Sequence, residues 1–227
     1  MIIFDVDGVL VNVAGSFHRT TLETVKFFTG KKVTRAQLNE WKNRPGFNDD
    51  WKLSTAWVQS LGGVQEYDEV KAKFVDLYWG IKGAGYVSDE KWLLPRAILG
   101  RLAKHSELAI FTGRTKREMD HTLARIPLRE FFSHVITVED VERPKPDPGG
   151  LLKILAGRDP VTAVYVGDNV DDANAAKSAH VPFVGILHRG GKDRRQRATI
   201  LKERGALAIL QDIRDLEAWL RRNPKHS

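Results

Sequence analysis

The 227-residue sequence contains no cysteine. Thiol nucleophiles, cysteine-ligated zinc and iron-sulfur clusters are thereby excluded, and the disulfide argument for an extracellular fold is removed. The chain also lacks any apolar run long enough to span a membrane, and it begins Met1-Ile2-Ile3-Phe4-Asp5 with no basic leader. A cytoplasmic protein without a membrane partner is therefore expected. Internal repeats and low-complexity tracts are missing too, and 42% hydrophobic with 29% charged residues is neither a disordered nor a collagenous composition. The length suits one large domain, or a core carrying a smaller insertion.

The charge is unevenly placed. Residues 1–188 carry 25 basic and 24 acidic side chains, whereas residues 189–227 carry 11 basic and 5 acidic, so +6 of the net +7 lies in the last stretch. The cluster Arg189, Lys192, Arg194, Arg195, Arg197, Lys202 and Arg204 would attract a polyanion electrostatically. Without interleaved aromatic residues, however, a solvated helix face is the preferred reading and nucleic acid is not expected as a partner.

After a first apolar triplet, residues 16–94 show helical periodicity and no convincing buried strand. Tyr67, Val70, Phe74, Leu77 and Tyr78 share one helix face, and Leu53, Ala56, Trp57 and Leu61 repeat the pattern one helix earlier. Five of the six tryptophans fall in this segment and read as the packing of a small helical lobe. From Pro95 the texture alternates helix and strand. Apolar runs at Ile2–Phe4, Leu108–Phe111, Val135–Val138, Val161–Val166, Phe183–Leu187 and Ala206–Leu210 predict a doubly wound parallel α/β sheet. The α/β core is assigned to residues 1–14 and 92–227, and the α-helical cap to 15–91.

In such sheets ligands sit beyond the carboxyl ends of the strands, so the residues after each run are the candidates for chemistry. Asp5-Val6-Asp7-Gly8 sets two carboxylates two residues apart where the first strand stops, with Gly8 free to turn sharply beside a ligand. A carboxylate is a weak nucleophile unless its target is strongly electrophilic, as a cation-bound phosphoryl group is. Thr112-Gly113-Arg114 offers a hydroxyl and backbone N–H groups to phosphate oxygens, although Thr112 or Thr115 reads equally well as a helix cap. Lys145 lies among three prolines that stiffen the backbone around its ammonium group, yet taken singly it reads as a loop lysine. Gly167-Asp168-Asn169-Val170-Asp171-Asp172 crowds three carboxylates in a way that suits magnesium, with Asp171 or Asp172 alternatively capping the next helix.

Together, Asp5-Val6-Asp7-Gly8-Val9-Leu10, Thr112-Gly113-Arg114, Lys145-Pro146-Asp147-Pro148 and Gly167 through Asp172 resemble the four ordered motifs of the haloacid dehalogenase superfamily. The resemblance implies a Rossmann-like core, an inserted helical cap and Mg2+-dependent phosphatase chemistry on a small-molecule phosphomonoester. It implies that Asp5 is the nucleophile forming an aspartyl-phosphate, and that Asp7 is the general acid and base. Thr112 would hydrogen-bond the phosphoryl oxygens and Lys145 would balance their charge, with Gly8, Gly113 and Arg114 also lining the substrate position. Magnesium would be held by the Asp5 carboxylate, the Asp7 carbonyl and Asp168, with Asp172 behind them. The cap is similar to that of phosphoglycolate phosphatases, and around Trp41 to Trp51 it resembles phosphatases fused to or named after imidazoleglycerol-phosphate dehydratase; Arg44 and Asn48 are its offered substrate contacts. A β-phosphoglucomutase-like phosphomutase and a non-catalytic polyanion binder are the alternatives.

Overall fold

Short runs without polar alternation make strands that must be covered on both faces. In the computed structural model, which describes residues 1–125, 128–188 and 194–226, the chain begins with β1 (Ile2–Phe4) and β2 (Val11–Asn12). Four helices follow, α1 (Phe17–Thr29), α2 (Arg35–Lys42), α3 (Asp50–Ser60) and α4 (Tyr67–Trp79), and then β3 (Lys91–Trp92). The remainder alternates: α5 (Arg96–Ala103), β4 (Leu108–Phe111), α6 (Lys116–Arg125), β5 (Phe132–Ile136), α7 (Gly149–Leu155), β6 (Val164–Gly167), α8 (Val170–Ser178), β7 (Phe183–Ile186), α9 (Arg194–Glu203), β8 (Ala206–Leu210) and α10 (Leu216–Arg222). Contacts divide this chain into two compact units, Met1–Val11 with Trp92–Ser227, and Asn12–Lys91.

The first unit is an α/β fold around a six-stranded parallel sheet ordered β5-β4-β1-β6-β7-β8. The core gathers Ile3, Phe111, Tyr165 and Phe183 from the sheet with Leu151, Ile154 and Leu155 of α7 and Ala173 and Ala176 of α8, all buried. Each large apolar side chain so buried contributes about 1.5–3 kcal/mol. Strand β1 lies between β4 and β6, and the chain adds β4 and β5 on one side before crossing to build the other. That reversal of strand order opens a crevice at the carboxyl end of β1, where the paired carboxylates lie.

Two strands differ from the hydrophobic pattern. Sequence puts one at Val135–Val138, but the ladder runs Phe132–Ile136, and Val138–Asp140 is a 3-10 turn capped by Thr137. As an edge strand, β5 tolerates the polar Ser133 and His134 that mask its start. The run Val161–Val166 likewise begins too early. The Asp159 side chain accepts from the Val161 N–H and sets a 3-10 turn over Pro160–Thr162, which leaves Val161 exposed and delays β6 to Val164.

The second unit is helical. Val25 of α1, Leu38 of α2, and Leu53, Trp57 and Val58 of α3 form its buried cluster, with Trp41 and Phe47 packed against it. α4 buries Val70, Phe74 and Tyr78 along the face that the periodicity predicts, while Tyr67 and Leu77 are half-buried. Among the tryptophans of this unit only Trp57 is fully buried; Trp41, Trp51 and Trp79 are half-buried. The Arg44 guanidinium stacks 4.3 Å from the Trp41 ring.

No helix among the described residues is long and apolar enough to cross a membrane. Part of the basic segment is turned inward: Arg194 donates to the Leu187 carbonyl, Arg197 to that of Asp168, and Arg204 to that of Ile200. Arg195 and Lys202 are exposed. Arg189 and Lys192 lie outside the described residues.

Candidate active site

The Asp5 N–H still donates to the Val166 carbonyl, 2.8 Å away, and extends the sheet by one residue before the chain turns. The turn closes on Val6, whose carbonyl accepts from the N–H groups of Val9, Leu10 and Val11. Gly8 supplies the positive φ of 77° that this reversal requires. Asp5 is thus buried at the strand end, and Asp7 is only partly covered beyond it.

Lys145 reaches Asp5 from the loop before α7. Its ammonium donates to Asp5 Oδ1 (2.8 Å), Asp172 Oδ1 (2.7 Å) and the Tyr165 hydroxyl (3.0 Å), so its three protons have three acceptors. The Tyr165 hydroxyl donates in turn to Asp172 Oδ1 at 2.7 Å. Burial and the nearby Asp172 carboxylate push the Asp5 carboxyl well above the usual carboxylate range, against the pull of Lys145. Burial acting alone would lower Lys145, but Asp172 and Asp5 hold its pKa above the ordinary lysine value. Burial and then Asp172 also raise Tyr165, which stays a protonated donor. The sequence reading sets Lys145 against the phosphoryl oxygens; in the structure its ammonium lies on the expected nucleophile, Asp5.

Asp172 is the N3 residue of α8, whose cap is Asn169; the Asn169 side chain accepts from the N–H groups of Asp171 and Asp172. Neither aspartate is the cap, contrary to the sequence expectation. Asp172 Oδ2 accepts from the N–H groups of Asp168 and Asn169 at 3.1 and 3.2 Å, so both its oxygens already have partners. Gly167 allows this approach, because a Cβ there would lie 2.5 Å from the Asp172 Cβ.

Thr112, after β4, is buried, and its Oγ accepts from the Arg114 N–H at 3.2 Å, which leaves the hydroxyl proton for another acceptor. Gly113 is exposed. Thr115, not Thr112, caps α6: the Thr115 hydroxyl accepts from the Glu118 N–H while the Glu118 carboxylate accepts from the Thr115 N–H. Arg114, expected to face substrate, has a fully buried side chain whose Nε and Nη2 both donate to Asp7 Oδ1, at 2.8 and 2.7 Å.

One carboxylate oxygen from each of Asp5, Asp168 and Asp172 lies within 4.8 Å of the others. Hard oxygen donors of this kind suit a small divalent cation. Asp5 and Asp168 fit the ligand role better than Asp172, whose oxygens are occupied. The Asp168 carboxylate lies over the turn, since a Cβ on Gly8 would fall 2.3 Å from Asp168 Oδ2. We therefore expect Gly8→Ala to combine backbone strain of about 1–3 kcal/mol with displacement of Asp168. Calorimetric titration with magnesium should register weaker binding, and unchanged affinity would contradict this placement of Asp168.

Three contributors escape the sequence reading. Tyr165 lies inside an apolar run, and the signal for it is that a buried tyrosine hydroxyl needs a partner. Arg197 is counted in the basic cluster, yet its Nη2 lies 2.9 Å from the Asp168 carbonyl oxygen and 3.4 Å from Oδ2. His188 Nε2 lies 3.1 Å from the Gly8 carbonyl oxygen, and no local pattern announces that contact.

The profile of the haloacid dehalogenase-like hydrolases matches residues 2–186. An imidazoleglycerol-phosphate dehydratase of Phytophthora nicotianae is 30% identical over 195 residues, 82% of this chain but 43% of that protein. The chain thus corresponds to less than half of that relative's length. Phosphoglycolate phosphatase 1 of Pseudomonas aeruginosa is 23% identical over 95% of this chain and 78% of its own length. Pyrophosphatase PpaX of Bacillus velezensis is 24% identical over 82% of each. Among solved structures, a haloacid dehalogenase-like protein of Agrobacterium tumefaciens superposes with a TM-score of 0.75 at 22% identity, covering 98% of both chains. A phosphatase of Thermococcus thioreducens superposes with a TM-score of 0.64 at 24% identity, covering 88% of this chain and 98% of that one.

Proposed function

The chain belongs to the haloacid dehalogenase-like hydrolases, and from that premise we propose that it is a magnesium-dependent phosphatase hydrolysing a small-molecule phosphomonoester through an aspartyl-phosphate. The observation that carries the reading is the buried Asp5 carboxylate, fixed through Oδ1 by Lys145 beside two further aspartates. Fixing one oxygen orients the other for in-line attack, which is the positional advantage an otherwise weak nucleophile needs.

In this reading an Asp5 oxygen bonds to phosphorus as the ester P–O bond breaks. Asp7 delivers its proton to the departing alkoxide, and the alcohol leaves. Asp7, now a carboxylate, removes a proton from water; that water attacks phosphorus, the acyl phosphate P–O bond breaks, and inorganic phosphate and the Asp5 carboxylate are restored. The Thr112 hydroxyl donates to a phosphoryl oxygen throughout. Magnesium, held by the Asp5 carboxylate, the Asp7 carbonyl and Asp168, would offset the negative charge of the phosphoryl oxygens. Asp172 acts behind them, holding Lys145 and the N–H groups of the Asp168 loop. The names of the Pseudomonas and Bacillus relatives favour small phosphorylated metabolites as substrates.

A panel of phosphoglycolate, pyrophosphate, sugar phosphates and nucleoside monophosphates, assayed for inorganic phosphate, tests the proposal. Release with magnesium and its loss with chelator are expected. Interconversion of sugar phosphate isomers without phosphate release would instead indicate a mutase. A folded, magnesium-loaded protein that performs neither reaction would overturn the phosphatase reading.

A further inference from the structure

We propose that Arg114 is a positioning residue for Asp7, holding one oxygen of its carboxylate so that the other is presented for proton transfer. The inference rests on the phosphatase reading and deepens it. Two donors of one guanidinium, Nε and Nη2, converge on the same acceptor, Asp7 Oδ1. Among the described residues no hydrogen bond reaches Asp7 Oδ2. A grip on both oxygens would tie up the carboxylate, whereas a double grip on one fixes its plane and leaves the second oxygen available.

The guanidinium is itself tightly held. Its side chain has 0% exposure, against 33% for that of Asp7, so the donor is rigid and dry while the acceptor opens to solvent. Nη1 donates to Thr122 Oγ at 2.5 Å, and the Thr122 hydroxyl donates onward to the Glu118 carbonyl, within α6. The Arg114 backbone is fixed as well: its N–H donates to Thr112 Oγ and its carbonyl accepts from the Val138 N–H. The same short segment therefore supplies a phosphoryl contact through Thr112 and the orientation of the proton carrier through Arg114. A lysine has the charge but not the fork, so it cannot reproduce two convergent donors.

Leaving-group dependence separates positioning from simple support of the fold. An alkyl phosphate needs its departing oxygen protonated, whereas p-nitrophenolate leaves readily as an anion. We expect Arg114→Met to lower kcat for an alkyl phosphate by about 100-fold, while the first-turnover burst of p-nitrophenolate stays within about threefold of the wild type. The slow step for the aryl ester then becomes hydrolysis of the phosphoenzyme, where Asp7 must activate water, so phosphoenzyme should accumulate. Arg114→Lys should give an intermediate loss with the same selectivity. Thr122→Val, which removes the hydroxyl that accepts from Nη1 and donates to the Glu118 carbonyl, should give a smaller one, and these two variants carry the test if Arg114→Met does not fold. Equal losses on both substrates in variants that melt like the wild type would overturn the proposal, as would an unaffected alkyl phosphatase. A wild type without phosphatase activity would overturn the underlying reading as well, which distinguishes the two failures.

Discussion

Asp5→Asn should abolish phosphatase turnover, with a loss on the order of 10⁴-fold or more, while leaving the protein as stable as the wild type or more so. The catalytic half of this expectation follows from chemistry: an amide cannot form the acyl phosphate, and what survives is whatever binding and electrostatic positioning achieve without a nucleophile. The stability half follows from the surroundings. Asp5 is 2% exposed, and burial together with Asp172 raises its pKa, so the ionised form is held at an energetic cost. Asparagine has nearly the same shape, its carbonyl oxygen still accepts from Lys145, and the repulsion from Asp172 disappears. A gain of about 1 kcal/mol would lift the melting temperature by roughly 2–4 °C in a chain of this size. Phosphate release and thermal melting on the same preparation check both halves. Retained turnover would remove Asp5 from the nucleophile role. A marked fall in melting temperature would mean that the Asp5 charge stabilises the fold.

The legible parts of this protein are those where one residue type answers to one local constraint. Ile2–Phe4 and Leu108–Phe111 announce their strands because a central strand, buried on both faces, needs uninterrupted apolar character. The carboxylates after β1 and β6 are visible because strand ends are where such sheets place chemistry. The less legible parts depend on long-range partners. β5 begins at Phe132 because it pairs with β4, and nothing in the local pattern of Ser133 and His134 says so. Lys145 and Arg114 are recognisable as site cations from their motifs, but which carboxylate each one neutralises is decided across separations of 140 and 107 residues. Arg197 illustrates the same limit: a composition argument places it in a polyanion patch, and the fold brings it to the Asp168 carbonyl.

Lys145→Met should be the most destabilising single change at the site. The ammonium is buried and pairs with two carboxylates, Asp5 and Asp172, whose side chains are 4% and 0% exposed. Methionine fills the volume but leaves both acids facing each other, and removing one partner of a buried ionic cluster costs about 3–5 kcal/mol. A fall in melting temperature of about 10 °C or more is expected, with phosphatase activity reduced by roughly the factor associated with losing a positioned charge, about 10³-fold. Two further results make the argument specific. Combining Lys145→Met with Asp5→Asn should restore part of the lost stability, because only one uncompensated carboxylate then remains, and Asp5→Asn should raise the melting temperature of Lys145→Met by clearly more than it raises that of the wild type. Magnesium should also raise the melting temperature of Lys145→Met by more than that of the wild type, because a divalent cation relieves the same repulsion and binds only the folded cluster. Strictly additive effects of the two substitutions, together with a magnesium response equal to that of the wild type, would mean that Lys145 supports the loop before α7 rather than the charge balance of the site.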